Sequence, residues 1–207
     1  MTYYVLSLTG HPYQINSSLT AWRTKVSDVD RRADISEIWM WGRGLLKPAE
    51  MPDVLPLEKG PKVLPAVFHS DGGIVVCSGE LKAILEEFNP GIHQFIPIKV
   101  ILRNGLDAPG THFILNVHHT LDAIVDERTK ARRSDATLPG EPSRHYMFLR
   151  IDAESPGDVT VNRSKLTSAH LWREKAYPRL YMMSDALHSR LKAAGMRFFK
   201  AIKATEI

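Results

Sequence analysis

The chain has 207 residues, a length that suits one large domain or two small halves that share a core. Hydrophobic residues make up 43% and charged residues 24% of the sequence, which argues against wholesale disorder. The formal net charge of +4 is spread along the chain and indicates no particular partner class. The single cysteine, Cys77, excludes an internal disulfide and a cysteine zinc finger.

The N-terminal residues lack the basic segment and the long apolar run of a signal peptide. No apolar stretch approaches the roughly 20 residues that a membrane-spanning helix needs. The longest, residues 95–102, is interrupted by Pro97 and Lys99. We therefore expect a cytoplasmic protein with no membrane partner.

The first third of the chain mixes clear and ambiguous patterns. Residues 3–8 are rich in aromatic and β-favouring side chains and are followed by Gly10 and Pro12, which predicts a strand closed by a turn. Residues 35–41 fit a strand or a short helix, and their periodicity does not decide between the two. Five prolines between residues 47 and 65 predict an irregular loop.

A strand–helix–strand unit is predicted at residues 74–98. Residues 74–77 are apolar and partly β-branched, as in a buried strand, and Ser78 can accept hydrogen bonds from the first free N–H groups of a helix. Asn89, Pro90 and Gly91 then end that helix, and residues 95–102 resume as strand. The apolar face of the helix consists of Leu81, Ile84, Leu85 and Phe88.

The chain beyond this unit consists of further short strands around one charged segment. Asn104 and Gly105 favour a turn. Residues 121–136 carry many charges and few apolar positions, which predicts a solvated helix or a surface loop. Strands are predicted at residues 111–117, 146–151 and 159–161.

The pattern of the 74–98 unit returns at residues 180–202. Residues 180–183 stand where residues 74–77 stood, and the register slips by two at the helix end because Asn89 and Pro90 have no counterpart. In each unit the serine caps the helix, the leucines face the core and the glycine takes a left-handed conformation. Such residues are common in helices, so the match fits either a duplication of the unit or convergence. The matched pairs are Ser78 with Ser184, Leu81 with Leu187, Leu85 with Leu191, Gly91 with Gly195, Phe95 with Phe199, and Ile98 with Ile202.

These elements predict an α+β fold, with mixed or antiparallel sheets, a few packed helices and two related strand–helix–strand units. We expect residues 1–207 to form a single domain. Within it, residues 1–70 would supply N-terminal strands and a loop, and residues 71–207 would form a core that carries both units.

The adjacent histidines His118 and His119, followed by Asp122, are the most chemically suggestive cluster. On a strand the two histidines point to opposite faces, whereas on a helix His118 and Asp122 would share a face and could share a metal. Two ligands from one element are too few, and no His-Glu-x-x-His spacing occurs. We therefore interpret the cluster as a polar rim and expect no metal and no cofactor.

Candidate nucleophiles are equally weak. Cys77 precedes a helix start, a position that can lower a thiol pKa, but it lies in an apolar strand that favours a small buried residue. The sequence contains no nucleophile elbow, P-loop or dinucleotide-binding motif. No catalytic residue is predicted.

Two other groups of residues could contact a macromolecule. The basic stretch at residues 128–133 could bind phosphates, but acidic residues flank it and no aromatic residues are interleaved to stack bases. We favour a solvated face or a clamp for an acidic partner. Trp39, Trp41 and Arg43 are of types enriched at interface hot spots, although two tryptophans on one face of a strand could equally pack on the sheet.

Several of these stretches carry a family resemblance. They are residues 3–6, residues 76–82 with 87–91 and 94–97, residues 115–117 with Asp122, and residues 171–173 with 183–187. On these stretches the chain resembles immunity protein family eleven of bacterial polymorphic-toxin systems. The resemblance is densest over residues 74–126 and from residue 168 onward.

The resemblance implies an α+β fold, no accepted catalytic residues, and neutralisation of a toxin encoded next door. We therefore predict a non-enzymatic immunity protein that binds a cognate toxin or effector. A His/Asp-dependent hydrolase and a nucleic-acid-binding regulator are the alternatives. The positive balance favours a toxin with an acidic patch and slightly disfavours a strongly basic nuclease toxin. Nucleic acid is not expected as a partner, and the oligomeric state is left open. The toxin-contact candidates are Trp39, Trp41, Arg43, His118, His119, Arg128, Lys130, Arg132 and Arg133.

Overall fold

The computed structural model shows an α+β fold. Within the described residues the α-helices are α1 (Val29–Trp41), α2 (Gly79–Phe88) and α3 (Asp185–Ala193). None of the helices in the described part of the chain is long and apolar enough to cross a membrane. The described residues are 3–7, 14–15, 22, 25–42, 44–58, 63–70, 74–130, 132–137, 145–150, 156–166, 168–175, 180–196 and 201–207.

Most of the described strands form two sheets. The strands are β1 (Tyr3–Ser7), β2 (Gln14–Ile15), β3 (Val54–Pro56), β4 (Val67–Ser70), β5 (Val75–Ser78), β6 (Gln94–Ile101), β7 (His112–Asn116), β8 (Thr120–Leu121), β9 (Arg132–Thr137), β10 (His145–Arg150), β11 (Thr160–Val161), β12 (Leu171–Glu174), β13 (Leu180–Ser184), β14 (Ala201–Lys203) and β15 (Thr205–Glu206). Sheet 1 has the order β2-β4-β5-β7-β6-β3 and sheet 2 the order β14-β1-β13-β12-β8, while β9 pairs with β10 and β11 with β15.

The two sheets repeat one arrangement of strands. In sheet 1, β5 and β6 flank the helix α2 in sequence and are separated in the sheet by the antiparallel strand β7. In sheet 2, β13 and β14 flank α3 and are separated by the antiparallel strand β1. The match extends outward, since β4 and β12 lie antiparallel to the first strand of each unit, and β2 and β8 lie parallel beyond them. Both units are thus split strand–helix–strand motifs.

The predicted caps of both units are confirmed. The Ser78 and Ser184 hydroxyls accept hydrogen bonds from Leu81 N and Leu187 N, both at 3.2 Å. Each bond satisfies one of the N–H groups that the first helical turn leaves without a partner. The glycines after the helices, Gly91 and Gly195, are left-handed, with φ of 68° and 71°.

One apolar core is shared between the two units. The leucines that the sequence pairs, at 81, 85, 187 and 191, are all buried in it together with side chains of both sheets. The helices also touch at their surface, where Arg190 Nε lies 3.3 Å from Glu87 Oε2. Because these side chains form one core, neither unit packs independently of the other. Burial of one such leucine stabilises the fold by about 2 kcal/mol.

Asn89 joins the end of α2 to the start of β12 in sheet 2. Its buried Oδ1 accepts hydrogen bonds from His170 N at 3.2 Å and Leu171 N at 3.0 Å. The Asn89→Ala variant leaves both donors without this acceptor and should lower the free energy of unfolding by about 2 kcal/mol in urea titrations. Asn104→Ala is the matched control, because Asn104 Oδ1 accepts from Leu106 N in an exposed turn. Equal losses in the two variants would contradict a role for Asn89 in joining the units.

The structure settles or corrects three expectations from the sequence. Residues 35–41 belong to the helix α1, so the strand alternative is wrong. The proline-rich loop expected at 47–65 contains a 3₁₀ turn (Pro48–Glu50) and the strand β3, which pairs with β6 and buries Leu55. The charged segment at 121–136 is neither a helix nor only a loop, because it contains β9. Phe199, the expected start of the last strand, lies outside the described residues.

Candidate functional site

A short segment at residues 117–119 crosses from sheet 1 to sheet 2. It follows β7 and precedes β8, and it carries His118 exposed and His119 half-buried. Its backbone is held by β12, because Arg173 N donates to His119 O and Arg173 Nε to Val117 O, both at 2.9 Å. The histidine pair therefore sits on a fixed backbone where the two units meet.

Arg173 is a buried cation behind this segment. Only 1% of its surface is exposed, and its guanidinium carbon lies 4.7 Å from the centroid of the Tyr181 ring, in cation–π contact. A buried charge is tolerated only where hydrogen bonds and aromatic faces replace water. The Val117 carbonyl and the Tyr181 ring supply part of that replacement.

The end of α1 packs directly on Arg173. Gly42 caps the helix in a left-handed conformation, with φ of 66°, and its N–H donates to Ile38 O at 2.7 Å. A Cβ at this position would lie 2.7 Å from Arg173 Cδ and 3.3 Å from Val117 O. Only glycine meets both the backbone conformation and the available space. Residues at the end of α1 and residues 117–119 are consequently neighbours.

Two amides fix the segment that follows α1. Gln94 accepts from Leu46 N at 2.9 Å and donates to Leu46 O at 2.7 Å, as a neighbouring strand would. The buried Asn116 donates to Gly44 O at 3.0 Å, while its Oδ1 has no partner among the described residues. This clamp leaves the Leu45 side chain outside, 59% exposed.

His93 is the most unusual group at this place. It immediately precedes β6, is 6% exposed, and neither ring nitrogen has a hydrogen-bond partner among the described residues. An unsatisfied buried polar atom costs about 1–3 kcal/mol, so such groups are rare without a role. Burial, followed by the positive charges of His119, His118 and Arg173, lowers the pKa of His93 to about 4.

We call His93, His118, His119 and Arg173 the basic junction. The pKa of His119 is lowered as well, by burial and by the neighbouring His118. Two exposed apolar side chains lie near the basic junction. Ile92 directly precedes His93, and Leu45 directly precedes Leu46, which is hydrogen-bonded to Gln94. The arrangement suits recognition of a negatively charged group on a partly apolar surface.

The structure brings together some sequence-predicted contact residues and separates others. Trp39 and Trp41 lie in the last turn of α1, which adjoins residues 117–119 through Gly42. Their positions stand about 160° apart around the helix axis, so the shared strand face considered from the sequence does not exist. Arg43 lies outside the described residues.

The basic stretch lies elsewhere. Its exposed Lys130 pairs with Asp158, at 2.9 Å from Nζ to Oδ1, and Lys130 N donates to Asp158 O at 2.7 Å. Thr160 Oγ1 donates to Arg128 O at 2.9 Å, which places this segment against β11. Arg132 and Arg133 belong to the ladder of β9 with β10.

Sequence reasoning missed His93 and Arg173 as functional candidates. Arg173 enters the sequence analysis only within the family-resemblance stretch at residues 171–173. His93 carries no motif, because its surroundings come from residues 118, 119 and 173, far away in the chain. A histidine beside a strand rich in apolar residues was the available signal. Nothing local distinguishes it from an ordinary polar residue at a strand end.

Other groups that resemble catalytic sites have structural explanations. Burial raises the pKa of the Cys77 thiol to about 12, which keeps it protonated and unreactive. Ser184 Oγ lies 2.7 Å from His170 Nδ1, but Ser184 is buried and already caps α3. Among the described residues no group of three His, Cys, Asp or Glu side chains is arranged to hold a metal ion.

Comparison with known proteins gives one family. The model of the immunity protein family Imm11 matches residues 17–205, most of the chain and both strand–helix–strand units. No curated protein matches the chain.

Proposed function

Because the chain belongs to the Imm11 immunity protein family, we propose that it neutralises a cognate bacterial toxin by binding it, without catalysis. The observation that carries this proposal is the extent of the family match, residues 17–205. We place the neutralisation in the cytoplasm, since the lone thiol is buried and no disulfide is available that would need an oxidising compartment.

We take the basic junction and its rim as the centre of the binding surface. Interface centres combine apolar anchors with a few charged groups that are shielded from water. Leu45 is 59% and Ile92 42% exposed, and the exposed His118 and half-buried His119 lie on the crossing segment. A standard interface of about 1,600 Å² is larger than this cluster, so the end of α1, with either Trp39 or Trp41, would belong to it as well.

The charge of this surface favours an acidic partner. Complementary charge speeds encounter and excludes partners of the same sign. The junction contains the guanidinium of Arg173, and the chain has a net charge of +4. The nucleic-acid alternative is less well supported, because Lys130 of the basic stretch is already paired with Asp158.

A paired charge reversal tests this surface. The His118→Asp/His119→Asp variant should bind the toxin encoded beside this gene about 100-fold more weakly than the parent and should fail to rescue cells that co-express it, because like charges now face each other. Binding is measured by titration calorimetry with purified proteins. Unchanged melting temperature excludes misfolding as the cause.

The matched control is Arg163→Asp/Lys165→Asp, which reverses two exposed cations of the 3₁₀ turn Arg163–Lys165. This variant should bind and rescue as the parent does. If it loses binding while the histidine variant keeps it, the binding surface is misplaced. Rescue by the parent without any physical complex would overturn neutralisation by binding.

A further inference from the structure

His93 is a buried histidine whose ring nitrogens have no hydrogen-bond partner among the described residues. Its imidazole is buried with two polar atoms unsatisfied, while nearby amides such as Gln94 and Asn116 donate to backbone carbonyls. Native proteins leave few such atoms without a partner, and the exceptions often mark sites of function. Both ring nitrogens of His93 are therefore available to bind a ligand.

The charges that act on His93 identify the ligand. Gln94 stands opposite Asn116 in the ladder of β6 with β7, so His93 lies beside the crossing segment. The groups that act on it are His118 and His119 on that segment and Arg173 on β12, and all three are basic. Gln94 and Asn116, from β6 and β7, are neutral amides, and no carboxylate acts on His93 among the described residues. A cation would be repelled here, whereas an anion would be attracted and could accept from an imidazole N–H.

The three histidines of the basic junction lie at different depths below the surface. His118 is exposed, His119 is half-buried and His93 is buried, so the basic groups form a gradient of depth. A short side chain on a partner surface that covers Leu45 and Ile92 would enter along this gradient. The partner's apolar contacts would then exclude water from the charged contact.

We infer that the basic junction receives a carboxylate, an aspartate or glutamate side chain of the toxin, which His93 and His119 bind. This inference rests on the proposed function and adds the chemical identity of the contact. Arg173 contributes its positive field while it keeps its hydrogen bond to Val117 O and its contact with Tyr181. The carboxylate supplies the acceptor that the His93 ring lacks.

Such a contact makes binding depend on pH. In the free protein the lowered pKa of His93 leaves the ring neutral near pH 7. A bound carboxylate stabilises the imidazolium and raises that pKa, so the complex takes up a proton and affinity increases as the pH falls. Arg173, His118 and His119 are the other basic groups at the site.

The test compares His93→Gln with His112→Gln in titrations against the toxin encoded beside this gene. The parent should bind about tenfold more tightly at pH 6 than at pH 8, and His93→Gln should lose most of this dependence and bind about tenfold more weakly at pH 6. His112 is a matched control, because it is also a buried histidine whose pKa burial lowers, and it lies at the opposite end of β7. His112→Gln should behave as the parent.

The outcomes separate the two proposals. Absence of any complex with the parent protein overturns the proposed function. A complex whose pH dependence is the same in the parent and in His93→Gln overturns the carboxylate site and leaves the proposed function intact. If His93→Gln does not fold, His119→Gln replaces it, and an unchanged pH dependence there has the same meaning.

Discussion

The Glu174→Gln variant is expected to lose about 3 kcal/mol of the free energy of unfolding. The Glu174 carboxylate is fully buried and accepts from Trp172 Nε1 at 2.8 Å, Ala123 N at 3.0 Å and Ile124 N at 3.2 Å. All three partners are donors. An amide has one oxygen, so its NH₂ group must face a donor and leave that donor unsatisfied.

The pH dependence of this loss has a definite sign. Burial raises the pKa of Glu174 above its usual value, against the three hydrogen bonds, which lower it. The folded chain therefore binds this proton more tightly than the unfolded chain, and the contribution to stability is complete at low pH and is lost as the pH rises through the raised pKa. The glutamine variant should lack this component in urea titrations across that range.

Two further variants identify the cause. Glu87→Gln changes an exposed carboxylate that pairs with Arg190 and should cost no more than about 0.5 kcal/mol. Trp172→Phe combined with Glu174→Gln removes the donor that the amide cannot satisfy, so the double variant should lose less than the sum of the single losses. Additive losses would show that the hydrogen bond between Trp172 and Glu174 is not the source.

The Gly42→Ala variant is expected to lose about 3 kcal/mol of stability and to bind toxin more weakly even where it is fully folded. Roughly 1 kcal/mol comes from the left-handed backbone and the rest from overlap with Arg173 and the Val117 carbonyl. Because both overlapping groups belong to the site, the end of α1 must move away from the crossing segment. The measurements are urea unfolding and calorimetric binding at a temperature below the transition.

Gly91→Ala separates the two causes. Gly91 has nearly the same φ, 68°, but a Cβ there meets nothing within 4 Å. This control should lose about 1 kcal/mol and bind as the parent does. Equal losses of stability in Gly42→Ala and Gly91→Ala would mean that α1 can shift away from Arg173 at no cost in free energy. Its contact with Arg173 would then not position the site.

The repeated units could be predicted because their determinants are local. A serine cap, two leucines one turn apart and a terminal glycine each act within ten residues, and Ser184, Leu187, Leu191 and Gly195 all take their expected positions. What the sequence did not reveal is the strand between β13 and β14. It is β1, from the other end of the chain, and no local pattern specifies such a pairing.

The site was only partly predictable for the same reason. His118 and His119 are adjacent in sequence and therefore visible as a cluster, whereas His93 and Arg173 join them only through the meeting of three elements. The helix α1 was ambiguous because its apolar positions follow no clear period, and tertiary contacts of Ile35 and Gly42 decide its conformation. The β9 strand was missed because three of its six residues, Arg132, Arg133 and Asp135, are charged, as in a solvated segment.

Neutralisation by binding is tested most directly by the stoichiometry of toxin inhibition. Purified protein is titrated into the toxin encoded beside its gene, and residual toxic activity is measured against the molar ratio. Binding predicts that inhibition rises in proportion and is complete near one equivalent of folded protein. Complete inhibition at about one tenth of an equivalent, which requires turnover, would contradict it.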